Sequence, residues 1–379
     1  MKIIYLANAR IPTEKAHGFQ IMKMCEAFKK DGAEIELVVA KRKDNQLESA
    51  DPFQYYGLRE HFSIKKLPLI DLVDRSYSLK GFSVVIQNTS FAISSFFYLI
   101  FRKVDIIYSR DEFSLFFLAL FRKNLVLELH IFPENKLNLY KFIFKRVKKI
   151  IVITQELKKL VVAIGIDKDK ILVSPDGVDP ELFNLKENKE ECRKKLNLPL
   201  DKNLIIYTGH LFVWKGVYTL AAASQFLSSQ ELIVFVGGME YDREKLKKFI
   251  KDKNLRNILF VSHQPPIKMP YYLKAADVLV LPNSGKKKIS VSYTSPIKMF
   301  EYMAATRPIV ASDLPSIREV LNNNNSILVK PDDPSSLAEG IKKTLQNSEL
   351  CGKITRQAFI EVSNYTWQKR VQNIINFIK

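Results

Sequence analysis

The chain has 379 residues, of which 47% are hydrophobic and 26% are charged, and these proportions exclude a disordered tail and a fibre. At about 150 residues per domain, the length predicts two to three domains with sizeable cores. Lysine and arginine number 59 against 40 aspartates and glutamates, so the formal net charge is +19, and both halves of the chain carry the surplus. A surplus spread in this way indicates a surface that attracts anions such as nucleotides, acidic lipids or nucleic acid.

The cysteines and the first residues give an expectation about the compartment. Cys25, Cys192 and Cys351 stand apart, without the CxxC spacing of a zinc site or the pattern of a disulfide framework. A reducing compartment is therefore expected, which makes the protein cytoplasmic. Residues 1–8 read as a short buried strand, because they lack the long apolar run and the cleavage site of a signal peptide.

Short apolar runs alternate with amphipathic stretches along the whole chain. This pattern is typical of parallel strands that helices cover on both faces. We expect helices at Met22–Lys30 and Glu244–Lys251. The strands expected in a first sheet are Ile3–Ala7, Ile35–Val39, Asp105–Tyr108, Leu125–Leu129 and Lys149–Ile153. Those expected in a second sheet are Leu204–Thr208, Leu232–Val236, Ile258–Val261, Val278–Leu281, Ile309–Ala311 and Ser326–Val329.

These elements predict two doubly wound α/β units with a linker between them. The linker falls in Pro175–Lys202, which contains three prolines, one glycine and several charged residues. We expect a first domain over residues 1–180, a second over residues 181–355 and a closing helical segment over residues 356–379.

Two stretches bear on contact with a membrane. Phe82–Phe101 has 20 residues without a charge, which is long enough to span a bilayer. It also contains seven polar residues, so a buried helix or a helix lying on a membrane surface is the preferred interpretation. Lys141–Lys149 is basic and aromatic, which fits either a helix docked on anionic lipid or a solvated helix face.

Three loops that follow predicted strands contain residues suited to binding. Gly18 lies between the first strand and the first helix, where backbone can approach a ligand closely. Lys215 and His210 follow the first strand of the second unit and could contact a phosphate; the alternative is a surface lysine and a turn histidine. His130 closes the strand Leu125–Leu129 at the binding edge of the sheet, although a core histidine is the more common outcome. The fingerprints GxGxxG and GxxxxGK are absent from the sequence.

A helix whose first turn could bind a ligand is predicted at Ser295–Ala304. Ser295 is the expected N-cap and Pro296 the expected first helical residue, so free amides of the first turn would face a ligand. Glu301 lies six residues after Ser295, in apolar surroundings, where a carboxylate needs a partner. A pair of ligand hydroxyls would serve, and so would a structural arginine or lysine.

These segments, in this order, resemble the retaining glycosyltransferases of family 4. That family has the GT-B fold, in which two doubly wound, Rossmann-like domains face a cleft. The resemblance covers nearly the whole chain and is weakest over residues 40–125, where acceptors are chosen. The segments that carry it are Gly209-His210 with Lys215-Gly216, Ser295–Ala304 with Arg307–Asp313, Pro175–Asp179, Ala275–Pro282 and Tyr365-Thr366-Trp367.

The resemblance implies a role for each matching residue. Lys215 would hold the donor diphosphate, Glu301 would accept hydrogen bonds from the ribose hydroxyls, and His130 would contact the donor sugar at the reacting centre. These three are the expected catalytic residues. Gly18 would leave room for the phosphates. The expected donor-binding residues are Gly18, Gly209, His210, Lys215, Tyr293, Ser295, Ile297, Lys298 and Glu301, with the amides of Ile297 and Lys298 forming a positive helix end.

Two positions depart from the family's pattern. The family commonly has a second glutamate eight residues before Glu301, and Tyr293 occupies that position here. A subset with the sequence Ser-Pro-x-Lys-x-Phe-Glu shares this loss, so sugar recognition must differ. His210 stands where the family commonly has an arginine, and a neutral histidine binds phosphate more weakly. Arg110 and Lys298 are the cations available to compensate.

The function implied is transfer of a sugar, with retention, from a nucleotide-diphosphate sugar to a glycan or lipid-linked acceptor in cell-surface polysaccharide or glycolipid synthesis. No metal and no cofactor are expected. The charge fits work at the inner face of the cell membrane, with peripheral contact to anionic lipid. A catalytically degenerate GT-B scaffold and a GT-B epimerase stay open as alternatives. Nucleic acid is not an expected partner, because no recognition motif accompanies the charge.

Overall fold

The computed structural model describes residues 1–42, 47, 49–71, 80–134 and 137–379. The chain forms two compact units, one of Met1–Pro175 with Trp367–Lys379 and the other of Asp176–Thr366. The expected boundaries after residues 180 and 355 differ from these. Val178 already belongs to the second unit, because its amide donates to the carbonyl of Tyr365 (2.9 Å).

Seven parallel strands form the sheet of the first unit. They are β1 (Lys2–Ala7), β2 (Glu34–Ala40), β3 (Ser63–Leu67), β4 (Ile106–Ser109), β5 (Leu125–Leu129), β6 (Lys149–Val152) and β7 (Ile171–Val173). Their spatial order is β3-β2-β1-β4-β5-β6-β7, so the order reverses between β1 and β4. β3 and β7 were not predicted from the sequence. β3 is an edge strand with exposed lysines, so it shows no buried apolar run. β7 has the same three residues, Ile-Leu-Val, as the predicted strand β13, so its length does not explain why it was not predicted.

Six parallel strands form the sheet of the second unit. They are β8 (Asn203–Thr208), β9 (Glu231–Val236), β10 (Ile258–Val261), β11 (Val278–Leu281), β12 (Ile309–Ser312) and β13 (Ile327–Val329). Their order is β10-β9-β8-β11-β12-β13, which reverses between β8 and β11. Two doubly wound α/β units are therefore confirmed, and every expected strand is present to within one residue at either end.

Sixteen α-helices are present in the described part of the chain. Helices α1–α6 and α16 belong to the first unit, and α7–α15 belong to the second. They are α1 (Ala16–Lys30), α2 (Pro52–Tyr56), α3 (Lys80–Leu99), α4 (Glu112–Leu118), α5 (Leu137–Arg146), α6 (Gln155–Ala163), α7 (Lys189–Lys195), α8 (Val217–Ala223), α9 (Glu240–Asp252), α10 (Met269–Ala275), α11 (Lys288–Ser292), α12 (Ile297–Ala304), α13 (Pro315–Arg318), α14 (Pro334–Gln346), α15 (Ser348–Val362) and α16 (Trp367–Ile378).

Helices on both faces explain why the strands read as continuous apolar runs. In β8, Leu204 and Ile206 pack with Phe300 of α12, whereas Ile205 and Tyr207 pack in the cluster on the opposite face. All of these side chains are fully buried. Alternate residues of one strand thus enter two different cores, and neither set can be polar.

The apolar stretch of the first unit forms α3. Phe91, Ala92 and Leu99 are buried, and the Oγ atoms of Ser95 and Ser114 lie 3.1 Å apart in the core. Phe97, by contrast, is 72% exposed. Within the described residues, no helix combines the length and apolar character that crossing a membrane requires.

Asp277, just before β11, ties α7 to the second sheet. Its carboxylate accepts from Lys189 Nζ (2.6 Å), from the Arg193 guanidinium (2.5 Å) and from the amide of Leu204 (2.7 Å). Burial alone would raise the pKa of Asp277, but these donors hold the pKa below its ordinary value. The Ala-Ala-Asp segment noted in the sequence therefore has a structural function in this fold.

Replacing Asp277 with asparagine should destabilise the protein by about 3 kcal/mol, because the buried charge of Arg193 loses its counter-charge. The matched control Asp313→Asn breaks an exposed pair with Arg318 and should cost less than about 1 kcal/mol. Urea unfolding measures both. The difference between wild type and D277N should be present above the unfolded pKa of about 3.9 and vanish as the pH falls through the lower folded pKa. Equal losses in D277N and D313N would contradict this description.

Candidate functional site

A tight loop follows β8 at the carboxyl edge of the second sheet. It begins at Gly209, with φ of +107°, and ends at Gly216, with φ of +71°. A Cβ atom on Gly216 would lie 1.7 Å from the carbonyl oxygen of Pro282, at the end of β11, so only glycine fits there. The Tyr207 hydroxyl donates to the carbonyl of His210 (2.6 Å) and fastens the start of the loop. This loop therefore lies where the strand order reverses, the usual place of a ligand in such sheets.

Aromatic rings surround the amine of Lys215 in this loop. The ring of His210 stacks on Phe212 with centroids 5.0 Å apart, and Phe212 stacks on Trp214 at 6.3 Å. The Nζ atom of Lys215 lies 5.5 Å from the centroid of Phe212 and 5.2 Å from that of Trp214. Burial lowers the pKa of Lys215 to about 8. Its charge is consequently poorly hydrated.

Lys298 of α12 is a second cation of this kind. Its Nζ atom lies 3.6 Å from the ring centroid of Tyr207 and has no hydrogen-bond partner among the described residues. The same Nζ lies 3.3 Å from the position a Cβ would take on Gly209. Burial and repulsion by Lys215 hold the pKa of Lys298 well below its ordinary value, against the attraction of Glu301. The two lysines therefore share one cation-rich place beside the loop.

Glu301 lies one helical turn from Lys298 on α12. Burial raises the pKa of Glu301 to about 7, and the charge of Lys298 opposes that rise. A carboxylate with a pKa near neutrality does not fully balance two lysines. This part of the site thus offers two amines that a nearby anion would favour in their charged form, and a carboxyl group able to accept hydrogen bonds from a ligand.

The start of α12 differs from the prediction. Pro296 is the N-cap, with an extended ψ of 124°, and the helix begins at Ile297, so the expectation of Ser295 as N-cap was wrong. The Ser295 hydroxyl instead accepts from the amide of Asp176 (3.1 Å), where the chain enters the unit. No described side chain caps this helix end. The amides of Ile297 and Lys298 are thus left for another acceptor.

Two tyrosines complete the surroundings. Tyr293 follows α11 and is 6% exposed. The Tyr302 hydroxyl accepts from the amide of Thr208 (2.9 Å) and lies 3.2 Å from its Oγ1, which joins α12 to the end of β8. The sequence analysis missed Tyr207 and Tyr302. No local pattern distinguishes them from core aromatics.

Gly18 and His130 lie in the first unit. A Cβ on Gly18 would come within 2.4 Å of both Thr13 Cγ2 and the Tyr56 hydroxyl, so close packing requires this glycine. His130 follows β5, and its Nε2 lies 2.5 Å from Oε1 of Glu128, which is fully buried. Arg110, one of the two available cations, also belongs to this unit and donates to Gln20 (2.7 Å).

The predicted residues therefore fall into two groups. Gly209, His210, Lys215, Lys298 and Glu301 belong to the loop after β8 and to α12 in the second unit. The spacing of Lys298 and Glu301, three residues apart on a helix, was a signal that they share a face. Glu128, which contacts His130, was missed as a functional residue, although it lies in β5 only two residues before His130.

Two family models match almost the whole chain between them. The model described as Glycosyltransferase Family 4 matches residues 19–182, and the one described as Glycosyl transferases group 1 matches residues 188–361.

Curated relatives match over shorter lengths. The putative teichuronic acid biosynthesis glycosyltransferase TuaC of Bacillus subtilis is 31% identical over 190 residues, covering 50% of this chain and 43% of TuaC. The D-inositol 3-phosphate glycosyltransferase of Acidothermus cellulolyticus is 26% identical, and the match covers 58% of this chain and 50% of that protein. The amylovoran biosynthesis glycosyltransferase AmsK of Erwinia amylovora is 27% identical, and the match covers 58% of this chain and 52% of AmsK. The chain thus spans about half the length of these relatives.

Solved structures match over the full length. Sucrose-phosphate synthase from Thermosynechococcus elongatus has a TM-score of 0.79 at 18% identity, with 99% of this chain and 98% of that chain covered. Anabaena HepE in complex with UDP and glucose has a TM-score of 0.76 at 17% identity, with the same coverage. WaaG, a glycosyltransferase involved in lipopolysaccharide biosynthesis, has a TM-score of 0.69 at 14% identity, with 100% of this chain and 99% of WaaG covered. At these identities the similarity shows a shared fold.

The lowered pKa of Lys215 can be tested through the pH dependence of its acetylation, which mass spectrometry detects. Half-maximal reactivity is expected near pH 8, because an amine reacts only when deprotonated and burial lowers this pKa. The control is Lys245, an exposed lysine of the same unit, whose pKa a hydrogen bond with Tyr241 raises, so its half-maximal reactivity should lie at a higher pH than that of Lys215. Identical profiles for the two lysines would refute this electrostatic description.

Proposed function

Because the chain belongs to the family-4-like glycosyltransferases of the GT-B fold, we propose that it transfers a sugar from a nucleoside-diphosphate sugar to a glycan or lipid-linked acceptor. The product would be a cell-surface polysaccharide or glycolipid. Relatives named for teichuronic acid and amylovoran biosynthesis support this class of product. The complexes of HepE with UDP and with UDP-glucose support the class of donor.

The observation that carries the proposal is the pair of poorly hydrated lysines, Lys215 and Lys298. Both have lowered pKa values, and Nζ of Lys298 lacks a hydrogen-bond partner among the described residues. A diphosphate placed between them would supply negative charge and favour the charged form of both amines. The two uncapped amides at the start of α12 would add donors to the same phosphates.

Lys298 accounts for the departure at His210. In the proposal it takes the role of the arginine that the family commonly has beside the diphosphate lysine. Its support is geometric, since Nζ of Lys298 lies beside Gly209, immediately before His210. The neutral ring of His210 then serves mainly as part of the aromatic stack on Phe212.

Glu301 supplies the proposed contact to the nucleotide ribose. Burial raises its pKa to about 7, which disfavours its charged form. Two ribose hydroxyls donating to it would stabilise that charged form, as charge-assisted hydrogen bonds do. Tyr293, at the position of the family's second glutamate, is proposed to shape the place of the donor sugar.

In the reaction, the bond between the anomeric carbon and the diphosphate breaks, and negative charge develops on the leaving phosphate. Lys215, Lys298 and the α12 amides would stabilise that charge in the transition state. The lysines supply this positive charge, so the proposal includes neither a metal nor a cofactor. His130 would contact the sugar as it gains oxocarbenium character. Retention of configuration is part of the proposal, and it rests on the family resemblance.

Thermal-shift assays with UDP-, GDP- and ADP-sugars, without added metal, test donor binding. A donor at 100 times its dissociation constant should stabilise the fold by about 2.7 kcal/mol. The variants Lys215→Ala, Lys298→Ala and Glu301→Ala should lose that shift, because each removes one proposed contact. Lys245→Ala, at an exposed site of the same unit, should keep it.

Turnover then separates the alternatives. Release of the nucleoside diphosphate in the presence of an acceptor supports the transferase. No shift with any of these donors in a folded sample would overturn the proposed donor site and favour the degenerate scaffold.

Contact with a membrane is the second part of the proposal, and an exposed apolar patch of the first unit supports it. We define the apolar patch as Phe97, Phe101, Leu120 and Phe121, which are 72%, 91%, 48% and 65% exposed. Phe96 of α3 has its ring centroid 5.6 Å from that of Phe97 and 5.3 Å from that of Phe121. Its ring thus connects Phe97 and Phe121, which are therefore not scattered side chains.

Cations surround this patch. Lys103 and Lys123 are exposed beside it in the sequence. Arg146, at the end of α5, donates to the carbonyl of Ala119 (3.3 Å), next to Leu120. Aromatic side chains with a basic rim suit the boundary of an anionic bilayer, such as the inner face of the cell membrane.

Flotation with vesicles containing phosphatidylglycerol tests this surface. Phe97→Ser combined with Phe101→Ser should abolish binding, because the side chains that would enter the bilayer are lost. Phe359→Ser combined with Ile360→Ser removes two exposed apolar residues of the second unit and should leave binding unchanged. Absence of binding by the wild-type protein, or equal effects of both double variants, would overturn this part of the proposal.

A further inference from the structure

The last helix of the chain reaches the buried carboxylate beside His130. Arg370 of α16 is 4% exposed and belongs to the first unit. Its NH2 atom lies 3.1 Å from Oε1 of Glu128, the atom that also contacts His130. We propose that Arg370 is a positioning residue that acts through Glu128 to fix the imidazole ring of His130. The reading of His130 as catalytic rests on the proposed function.

Glu128 is held by donors from four separate parts of the first unit. Oε1 accepts from Gln20 Nε2 of α1 (2.7 Å), from His130 Nε2 (2.5 Å) and from Arg370, while Oε2 accepts from the hydroxyl of Tyr108 in β4. The carboxylate is 1% exposed, and burial alone would raise its pKa. The charge of Arg370 and the contact with His130 instead hold the pKa of Glu128 well below its ordinary value. Glu128 therefore stays ionised because Arg370 compensates it.

An ionised Glu128 determines the state of the ring of His130. The contact between His130 Nε2 and Glu128 Oε1 places the two side chains on the same side of the chain. A carboxylate accepts and cannot donate, so the short contact requires the proton of the ring to be on Nε2. Loss of Arg370 would leave a buried carboxylate without its cation, and a protonated Glu128 would no longer dictate that tautomer.

The geometry at Arg370 requires a guanidinium. Besides Glu128, it donates to the carbonyl of Ser174 (3.2 Å from NH2) and to that of Pro175 (2.8 Å from Nε). One planar fork thus joins α16, the strand that carries Glu128 and the segment that leaves the unit. A lysine has a single nitrogen and cannot contact these three acceptors from different directions.

Other titratable groups face this cluster. Tyr5 and Tyr108 have pKa values that burial and the charge of Glu128 raise, so both stay neutral. Cys25 is also buried, with a raised pKa. Arg110 contacts the cluster through Gln20 and favours the ionised Glu128. Among these described groups, Arg370 is the cation in direct contact with the carboxylate.

The test combines Arg370→Lys, Glu128→Gln and the control Lys369→Ala, an exposed neighbour on α16. The ring nitrogens of His130 are observed by NMR in protein labelled at its five histidines. In wild type the proton should be on Nε2. R370K keeps the charge, but its single nitrogen cannot contact Glu128 and the two carbonyls together, and E128Q removes the carboxylate. Both variants should therefore populate the other tautomer and shift the titration midpoint of this ring, whereas K369A should not.

Kinetics give the second readout. R370K should lower kcat at least tenfold with little change in the KM for the donor, and its pH profile should follow the altered His130 midpoint. An unchanged tautomer and unchanged kcat in R370K would overturn the inference. If R370K does not fold, E128Q provides the test. A wild-type tautomer of His130 together with a wild-type kcat in E128Q would overturn the inference. If the wild-type enzyme transfers no sugar, the proposed function fails, while the NMR result still decides whether Arg370 fixes the ring.

Discussion

Charge that is removed from water must find a partner, and this constraint organises both units of the protein. Asp277 shows the compensated case, since two cations and an amide from separate elements meet its carboxylate. Glu128 shows the same in the first unit, with Arg370 as its cation. In both places a buried carboxylate joins segments that are distant in the chain and so fixes how they pack.

The lysines of the second unit show the uncompensated case. Lys215 and Lys298 both have lowered pKa values, and the pKa of Glu301 is raised rather than lowered. The fold holds these groups in place through Gly216, which passes against the carbonyl of Pro282, and through the packing of α12. Such an arrangement suits an anion, which is why this cluster carries the proposed function.

The sequence was sufficient for the strands whose residues are buried on both faces, and their ends were predicted to within one residue. It was insufficient for β3, because an exposed edge strand lacks the apolar run. The sequence pattern gives no such reason for β7, since β13 has the same Ile-Leu-Val sequence and was predicted. It misplaced the start of α12, because Ser-Pro fits an N-cap with a first helical residue as well as the observed arrangement. The choice depended on Asp176, whose amide engages Ser295 from 119 residues away.

By itself, the sequence determined the two α/β units, the loop around Lys215 and the helix that places Lys298 and Glu301 on one face, because each depends on spacing along the chain. Only the tertiary structure decided that Nζ of Lys298 lies beside Gly209 and over Tyr207. It alone decided that Arg370 pairs with Glu128, 242 residues away. Burial determines which charges must be compensated, and burial is a property of the packed chain that no local pattern contains.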